Sequence, residues 1–298
     1  MSQFTAINLS QVPAPRVIEE LDFEQIFAAM LSDLVDRFPD FDTPLESDPA
    51  YKILQVCAYR EILLRQRIND AAHAVMLPYA GKEDLDVLGA LFGVLRLVIS
   101  PADNSNIPPT PAVMERDEDF RYRIQLSLEG YSTAGPEGAY IYHALSASGQ
   151  ILDASAVSPE PGEVLVTVLG RNGDGAVGSE VLEAVNTSLS AESVRPLTDH
   201  VTVQSATIVP YDVRATLFFY AGPDREVVMA NAKAAIKAYA QSQHRLGLDV
   251  TLSGVYASLH QSGVQRVELE SPSANIVVDR QSATWCSEIS LTDGGLDE

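Results

Sequence analysis

The chain has 298 residues, 46% hydrophobic and 20% charged, the proportions of a folded rather than a disordered protein, and a chain of this size buries about 75% of its unfolded surface in two or three domains. Twenty Lys+Arg face 41 Asp+Glu, a net charge of -21; that excess opposes approach to a phosphate backbone or an anionic membrane, so neither nucleic acid nor membrane is an expected partner. Cys57 and Cys286 lie far apart in sequence, which excludes a disulfide framework and a cysteine metal cluster and points to a reducing compartment.

Residues 1–20 read as extended, passing through Pro13-Ala14-Pro15, with no charged-then-apolar leader and no apolar run approaching the roughly 18 residues of a membrane span. A first helix is expected from Asp22, which with Gln25 resembles a capping box, and Phe23, Ile26, Phe27, Met30, Leu34 and Phe38 form its stripe. An acidic loop follows, closed by Asp48 as N-cap and Pro49 at the first helical position. The next helix, Pro49 to Leu77, is the longest. Ile53, Cys57, Leu64, Ile68, Ala71 and Val75 define one face, and Arg60, Arg65 and Arg67 add positive charge. At 1.5 Å per residue it spans on the order of 40 Å, and such a rod needs flanking helices or another chain to cover it. Pro78 and Gly81 end it. A shorter helix, Glu83 to Phe92, stops at Gly93, and ISPADNSNIPPTPAV reads as a linker.

From Asp117 to Gly149 the pattern is helix, tight break, helix. Phe120, Ile124, Ser127 or Leu128 and Tyr131 share one face of the first arm, and Tyr140, Ile141, Ala144, Leu145 and Ser148 one face of the second. Between them Ser132-Thr133-Ala134-Gly135-Pro136 breaks the chain. Pro136 suits the first turn of the second helix, and Gly149 a left-handed C-cap. Strands are then expected at Val164–Leu169, Val201–Val203 and Tyr211–Phe219. Helices are expected at Val181–Leu189, from Gly222-Pro223 to Gln243, and at Ser253–Gln261. Further strands fall near Val264–Leu269 and Ile276–Val278, before an acidic tail TDGGLDE. The fold class is therefore α+β and multidomain: an all-helical N-terminal domain (1–98), a linker (99–116), then two small α+β domains, 117–205 with the helix pair and 206–298.

Candidate chemistry is sparse. Gly173-Asp174-Gly175-Ala176-Val177-Gly178 matches GxGxxG between a strand and a helix, the context of a dinucleotide site, so a nucleotide-binding enzyme using residues 170–178 is the alternative function. Against it, Gly170-Arg171-Asn172 separates the strand from the first glycine, Asp174 brings a negative charge to the phosphates, and no ribose-binding acid is well placed; a plain loop using glycine for positive φ is the simpler reading. Asp40, Asp42, Glu46 and Asp48 suggest calcium, yet Pro44 and Leu45 stand where ligands would fall. His73, His143, His200, His244 and His260 have no metal-ligand spacing, and no GxSxG elbow is present. The second helix of the 117–149 pair has no Lys or Arg, which excludes a DNA-reading unit. No catalytic, cofactor or metal site is expected. The arginines of the long helix read either as intrachain ion pairs or as a contact with another subunit.

Several segments, taken in order, resemble the baseplate assembly protein J family of P2-like contractile phage tails and related tail-like particles. They are Ala58-Tyr59-Arg60-Glu61, Arg67-Ile68-Asn69-Asp70-Ala71-Ala72, Leu85-Asp86-Val87-Leu88-Gly89, Tyr122-Arg123-Ile124, Ser132–Pro136, Arg195-Pro196-Leu197-Thr198-Asp199 and Gly263-Val264. The resemblance implies a non-enzymatic structural protein of the virion or of a tail-like bacteriocin, assembled in the host cytoplasm. Its implied partners are other copies of itself, a smaller baseplate wedge protein, and a sheath-initiator or lysozyme-like wedge protein. The wedges would close a ring around the tail hub and transmit the contraction trigger. The face of the long helix (Ile53, Cys57, Arg60, Leu64, Arg67, Ile68, Ala71 and Val75) is the expected subunit interface. A receptor-binding tail module is a rival, but such proteins are β-rich, whereas this chain opens with helices.

Overall fold

A computed structural model describes residues 7, 9, 12–13, 15–39, 45–105, 107–132, 134–222 and 224–297. The chain forms two compact units that divide between Leu95 and Arg96. Asp40 and Asp42 of the acidic loop, Pro44, Ala14, Thr133 and Pro223 lie outside the described residues.

The first unit is built from three helices, α1 (Phe23–Arg37), α2 (Pro49–Ala74) and α3 (Lys82–Leu91). Local chemistry sets their ends. The Asp22 carboxylate accepts from Glu24 N at 2.8 Å and Gln25 N at 3.3 Å, and Gln25 Nε2 donates back to it at 3.1 Å. The expected capping pair is thus present, but the glutamine bonds the cap's side chain rather than its backbone. Asp48 accepts from Ala50 N at 2.9 Å and Pro49 opens α2 as expected. That helix stops at Ala74, earlier than Leu77, because the chain turns where Met76 N bonds His73 O. Gly93 closes α3 at φ 71°, the left-handed value its sequence position called for. Phe27 of α1 meets the Tyr51 ring edge-on at 4.8 Å, Ala58 is fully buried, and the buried Asn69 amide bonds both the N–H and the C=O of Glu19.

The second unit starts with a short antiparallel ladder, β1 (Val98–Ser100) and β2 (Val113–Met114). Within the stretch 99–116, read above as a linker, lie this ladder and an antiparallel bridge between Asp103 and Thr110. Glu115 is buried and accepts from Arg123 Nε at 2.8 Å and Nη2 at 2.6 Å, while Leu97 N donates to it at 3.2 Å. The helix pair follows as α4 (Asp117–Gly130) and α5 (Glu137–Ala147). Phe120, Ile124 and Ser127 face inward as the spacing predicts, whereas Leu128 and Tyr131 are exposed. Pro136 is the N-cap of α5, one position earlier than expected. Gly135 is left-handed at φ +68°, and a Cβ there would lie 2.7 Å from Pro196 Cγ and 3.0 Å from Asp199 Oδ2. The STAGP break and the RPLTD segment thus pack on each other, and Tyr140 Oη donates to Asp199 Oδ2 at 2.7 Å. Gly149 does not make the expected left-handed cap. Ser148 caps α5 in extended conformation, and Gly149 is small because Val98 O of β1 sits where its Cβ would be.

Three strands complete this domain: β3 (Ile151–Val157), β4 (Glu163–Gly170) and β5 (His200–Ser205), in the order β3-β4-β5, with α6 (Ser179–Leu189) making the crossover between the parallel β4 and β5. Strand β3 was not legible in the sequence. The core joins Leu126, Tyr140, Ala144, Ile151, Val166, Val168, Val185 and Leu189. A second sheet, in the order β7-β6-β8, carries β6 (Thr207–Phe219), α7 (Arg225–Gln243), α8 (Leu252–Leu259), β7 (Val264–Ser271) and β8 (Ser282–Leu296). Tyr211, Val213, Ala215, Leu217 and Phe219 pack inward on Val228, Ala232, Ile236 and Val255, the alternation the sequence predicts.

Two expectations at the C-terminus are corrected. Ile276–Val278 is no strand but a single bridge, Ile276 to Val250. Thr292 to Leu296 are not a frayed tail but the end of β8, parallel to β6. Gly294 leaves room for the Phe218 ring, and Arg225 and Arg266 hold Asp293 and Asp297 at 3.3 Å and 2.8 Å. The acidity that suggested a solvated end is matched by arginines from α7 and β7.

Replacing Gly149 with Ala should destabilise the protein by about 1–3 kcal/mol in urea unfolding, since backbone rather than a flexible side chain must yield. Gly178→Ala, at φ −77° with nothing within 4 Å of the added carbon, should stay within about 0.5 kcal/mol.

Candidate subunit interface

A helix has 3.6 residues per turn, so Ile53, Leu64 and Ala71 of α2 point within about 20° of one another, while Ala58, Ile62 and Asn69 point about 140–180° away. The second set faces the unit's own interior. The first set does not. Ile53, Cys57, Arg60, Leu64, Arg67, Ile68, Ala71 and Val75 are all exposed, Leu64 and Ile68 at 67% and 61%. Val56, Tyr59 and Leu63 widen the exposed apolar strip. The rod is therefore apolar on two sides, and the described residues of its own unit cover only one. A strip of this kind marks an interaction site far better than scattered exposed side chains do.

The two readings of the arginines separate cleanly. Arg65 is an intrachain partner: its guanidinium meets Glu61 at 2.6 Å and Glu19 at 3.2 Å. Glu61, then Glu19, raise its pKa. Arg60 and Arg67, seven residues apart on the exposed strip, make no ion pair among the described residues. They are cations set in an apolar face of a strongly acidic protein.

Much of the Gly-rich loop is already hydrogen-bonded within the chain. Four of its amides already have acceptors: Gly170 N on Gly175 O at 2.7 Å, Gly175 N on Asn172 O at 3.2 Å, Ala176 N on Asp174 Oδ1 at 3.1 Å and Val177 N on Ser205 Oγ at 3.0 Å. A phosphate cradle needs such N–H groups free. Gly175, at φ +94°, lets the loop close on a neighbour instead. A Cβ there would fall 2.5 Å from Leu169 Cδ1 and 3.0 Å from His244 Nε2. His244 follows α7 and also bonds Thr284 O of β8 through Nδ1 at 2.6 Å. The loop is a socket for His244 at the end of α7.

Beside this socket lies a charge cluster that sequence reasoning missed. Asp119 of α4 is 7% exposed; its Oδ2 accepts from Arg171 Nη1 at 2.5 Å and its Oδ1 from Arg245 Nη2 at 3.0 Å. Arg171 also donates through Nε to Gly149 O at 2.9 Å, and Arg245 through Nη1 to Leu152 O at 2.6 Å. Burial opposes ionisation of Asp119, but the two guanidiniums outweigh it and hold its carboxyl below the ordinary range. Nearby, burial pushes Asp153 up, though Arg245 and the Leu246 and Ala154 amides act against that rise. Burial, and then the bond to Asp199, raise the Tyr140 phenol. A single buried Asp among exposed-looking charges leaves no periodic mark, since its partners lie 52 and 126 residues away. Among the described residues no group of His, Cys, Asp and Glu forms a metal site, and no helix is long and apolar enough to cross a membrane.

Three family models match successive parts of the chain: the Baseplate J-like N-terminal domain over residues 46–103, the Baseplate J-like central domain over 132–205, and the Baseplate J-like protein C-terminal domain over 211–292. Baseplate protein J of Escherichia phage P2 is 49% identical over 299 residues, an alignment spanning 98% of this chain and 99% of that protein. A chain of the anti-feeding prophage baseplate, seen in a six-fold symmetrised cryo-EM structure, aligns with 61% of this chain at a TM-score of 0.39 and 14% identity, and the match spans 44% of that chain.

Replacing Asp119 with Asn keeps the shape but strands two guanidiniums, and should lower stability by about 2–4 kcal/mol in urea unfolding at pH 7. The pH dependence reports on the residue. A carboxyl depressed in the folded state stabilises above its unfolded pKa, about 4, and that contribution is lost as pH falls through the folded value. Asp153 titrates with the opposite sign and, besides burial, is itself pushed up by the Asp119 charge, so the difference between parent and Asp119→Asn curves carries both residues; its Asp119 part should shrink below about pH 4.

Proposed function

The chain belongs to the Baseplate J-like family, and from that premise we propose that it is a structural wedge protein of a contractile-tail baseplate whose outer α2 face is a permanent subunit contact. The observation that carries the interface is the two-sided apolar rod: its inner side is closed by its own unit and its outer side by nothing in the described chain. The near full-length identity to Baseplate protein J of phage P2 supports the baseplate role. In this reading the chain joins other copies of itself and a smaller wedge protein in a ring around the tail hub, in a virion or tail-like particle, after assembly in the host cytoplasm. It works by transmitting the trigger for sheath contraction through packed surfaces, and turns over no substrate. Residues 96–298 suit force transmission because their domains are joined by charge-assisted hydrogen bonds. The alternative, a nucleotide-binding enzyme, has less support because the Gly170, Gly175, Ala176 and Val177 amides already have acceptors.

Permanent interfaces bury more than about 2,000 Å² with an apolar centre. Ile68→Asp places an unpaired charge in that centre at a cost of several kcal/mol, yet Ile68 is 61% exposed in the free chain, so the monomer should keep its fold and its unfolding midpoint. Size-exclusion chromatography with the companion wedge protein should show the parent complex and no complex for the variant. A variant that assembles normally places the interface elsewhere. Titration calorimetry with nicotinamide cofactors should give no heat; saturable binding at residues 170–178 would favour the enzyme.

A further inference from the structure

We propose that Asn172 is a self-modifying site: it loses its side-chain amide to attack by the next backbone nitrogen, and the product releases a tie that Asn172 keeps on β1 through Gln150. Asn172-Gly173 is the one Asn-Gly step in the sequence. Glycine after asparagine favours ring closure, because no Cβ shields the nitrogen that must reach the side-chain carbon. Both residues are exposed. Gly173 stands at φ +63° with nothing within 4 Å of where a Cβ would be, so a five-membered ring has room to form. The amides of Gly175, Ala176 and Val177 are held by acceptors, whereas that of Gly173 makes no hydrogen bond among the described residues. The loop thus keeps one backbone nitrogen available, next to the one side chain it can attack.

The step needs water and nothing else. Gly173 N gives up its proton and bonds Asn172 Cγ; the Cγ–Nδ2 bond breaks, and that nitrogen leaves with the proton as ammonia. Water then opens the ring. Attack at Cγ leaves aspartate, and attack at the main-chain carbonyl leaves isoaspartate. Either product carries a new negative charge beside Asp174.

The consequence follows from what the lost amide was holding. Asn172 Nδ2 donates to Gln150 Oε1 at 2.6 Å, and Gln150 Nε2 donates in turn to Ile99 O of β1. A carboxylate has no hydrogen to give. An acceptor at position 172 obliges the Gln150 amide to turn its NH2 toward the new charge, and Ile99 O then loses its donor. Isoaspartate also lengthens the main chain inside the turn closed by Gly175 N on Asn172 O. The strand is not freed altogether, since β1 keeps its ladder with β2 and Leu97 N keeps its bond to Glu115. It loosens at one point.

Peptide mapping on the full chain tests the chemistry. Protein held for days in mildly alkaline buffer is digested at acidic pH by a protease that cuts after glutamate. The peptide Val164–Glu180 should gain one mass unit, faster as pH rises, because the attacking nitrogen must lose its proton. Peptides holding Asn69, Asn186 and Asn231, which lie within helices, should stay unchanged over that time. Asn172→Gln should stay unchanged too, since its longer side chain would have to close a six-membered ring. Hydrogen exchange tests the tie. Asn172→Asp, which imitates one product, should speed exchange of the β1 and β2 amides several-fold, the scale of one lost hydrogen bond, and leave β6 as in the parent. Gln150→Ala should do the same, and adding it to Asn172→Asp should speed exchange no further. Where Asn172→Asp fails to fold by circular dichroism, aged parent separated by anion exchange on its extra charge gives the same reading. A peptide 164–180 that gains no mass, or gains it no faster than the helical asparagines, overturns the modification. Unchanged exchange in β1 and β2 overturns the tie.

Discussion

The buried carboxylate of Asp119 holds the second unit together. It lies on the first turn of α4 and accepts from Arg171, which follows β4, and from Arg245, which follows α7. Each arginine then uses a second donor to hold a main-chain carbonyl, Gly149 for one and Leu152 for the other. One side chain thus sets helix pair, first sheet and second domain in register. Around it the apolar contacts are modest: Leu169, Ala206 and Ala283 form a small cluster with Leu152, Ile208 and Leu246. A junction of that size relies on directional bonds, and their geometry tolerates little rotation. Glu115 and Arg123 repeat the device for the hairpin, with Arg123 reaching Ser146 at 3.2 Å as well.

What could be read from the sequence was whatever left a period or a cap. The α+β class, the order of elements and the inward side of β6 follow from three- and two-residue repeats. The caps at Asp22, Asp48 and Gly93 follow from side chains acting within a few residues of themselves. What could not be read depends on contacts made at long range. Strand β3 has the burial pattern of a strand packed on both sides along half its length, so Ala154, Ser155 and Ala156 show no alternation. The final strand was hidden because TDGGL looks like solvated chain until Arg225, Arg266 and Phe218 are brought beside it. Gly149 shows the same limit: its sequence position suggests a helix end, but the reason for glycine is the passing backbone of β1. The outer side of α2 left a mark too, because its apolar residues recur at helical spacing on more than one side of the helix. Which of its arginines were already paired was not, since Glu19 lies 46 residues from Arg65.

The division of labour between the two units follows from these differences. In the second unit the domains are joined by buried charges, and its apolar residues are mostly inside. In the first, Asp22 and Asp48 cap α1 and α2, and α2 leaves an exposed apolar strip that carries Arg60 and Arg67. In the proposed reading, one part keeps the fold stable and the other serves association. A structural protein that must be made as a single chain and then become part of a large assembly benefits from that separation, since changes at the contact surface need not disturb the load-carrying half.

In the proposed assembly, Arg60 and Arg67 of α2 also bear on how subunits first meet. With a net charge of -21, two molecules approaching at random repel one another before any side chains touch. Encounters that present Arg60 and Arg67 toward an acidic surface meet less of that repulsion, so the field biases orientation ahead of contact. The same repulsion keeps unassembled chains dispersed despite their bare leucines and isoleucines. Since the screening length contracts from about 10 Å at 0.1 M salt to about 3 Å at 1 M, this guidance fades as ionic strength rises, and collisions then become both more frequent and less discriminating.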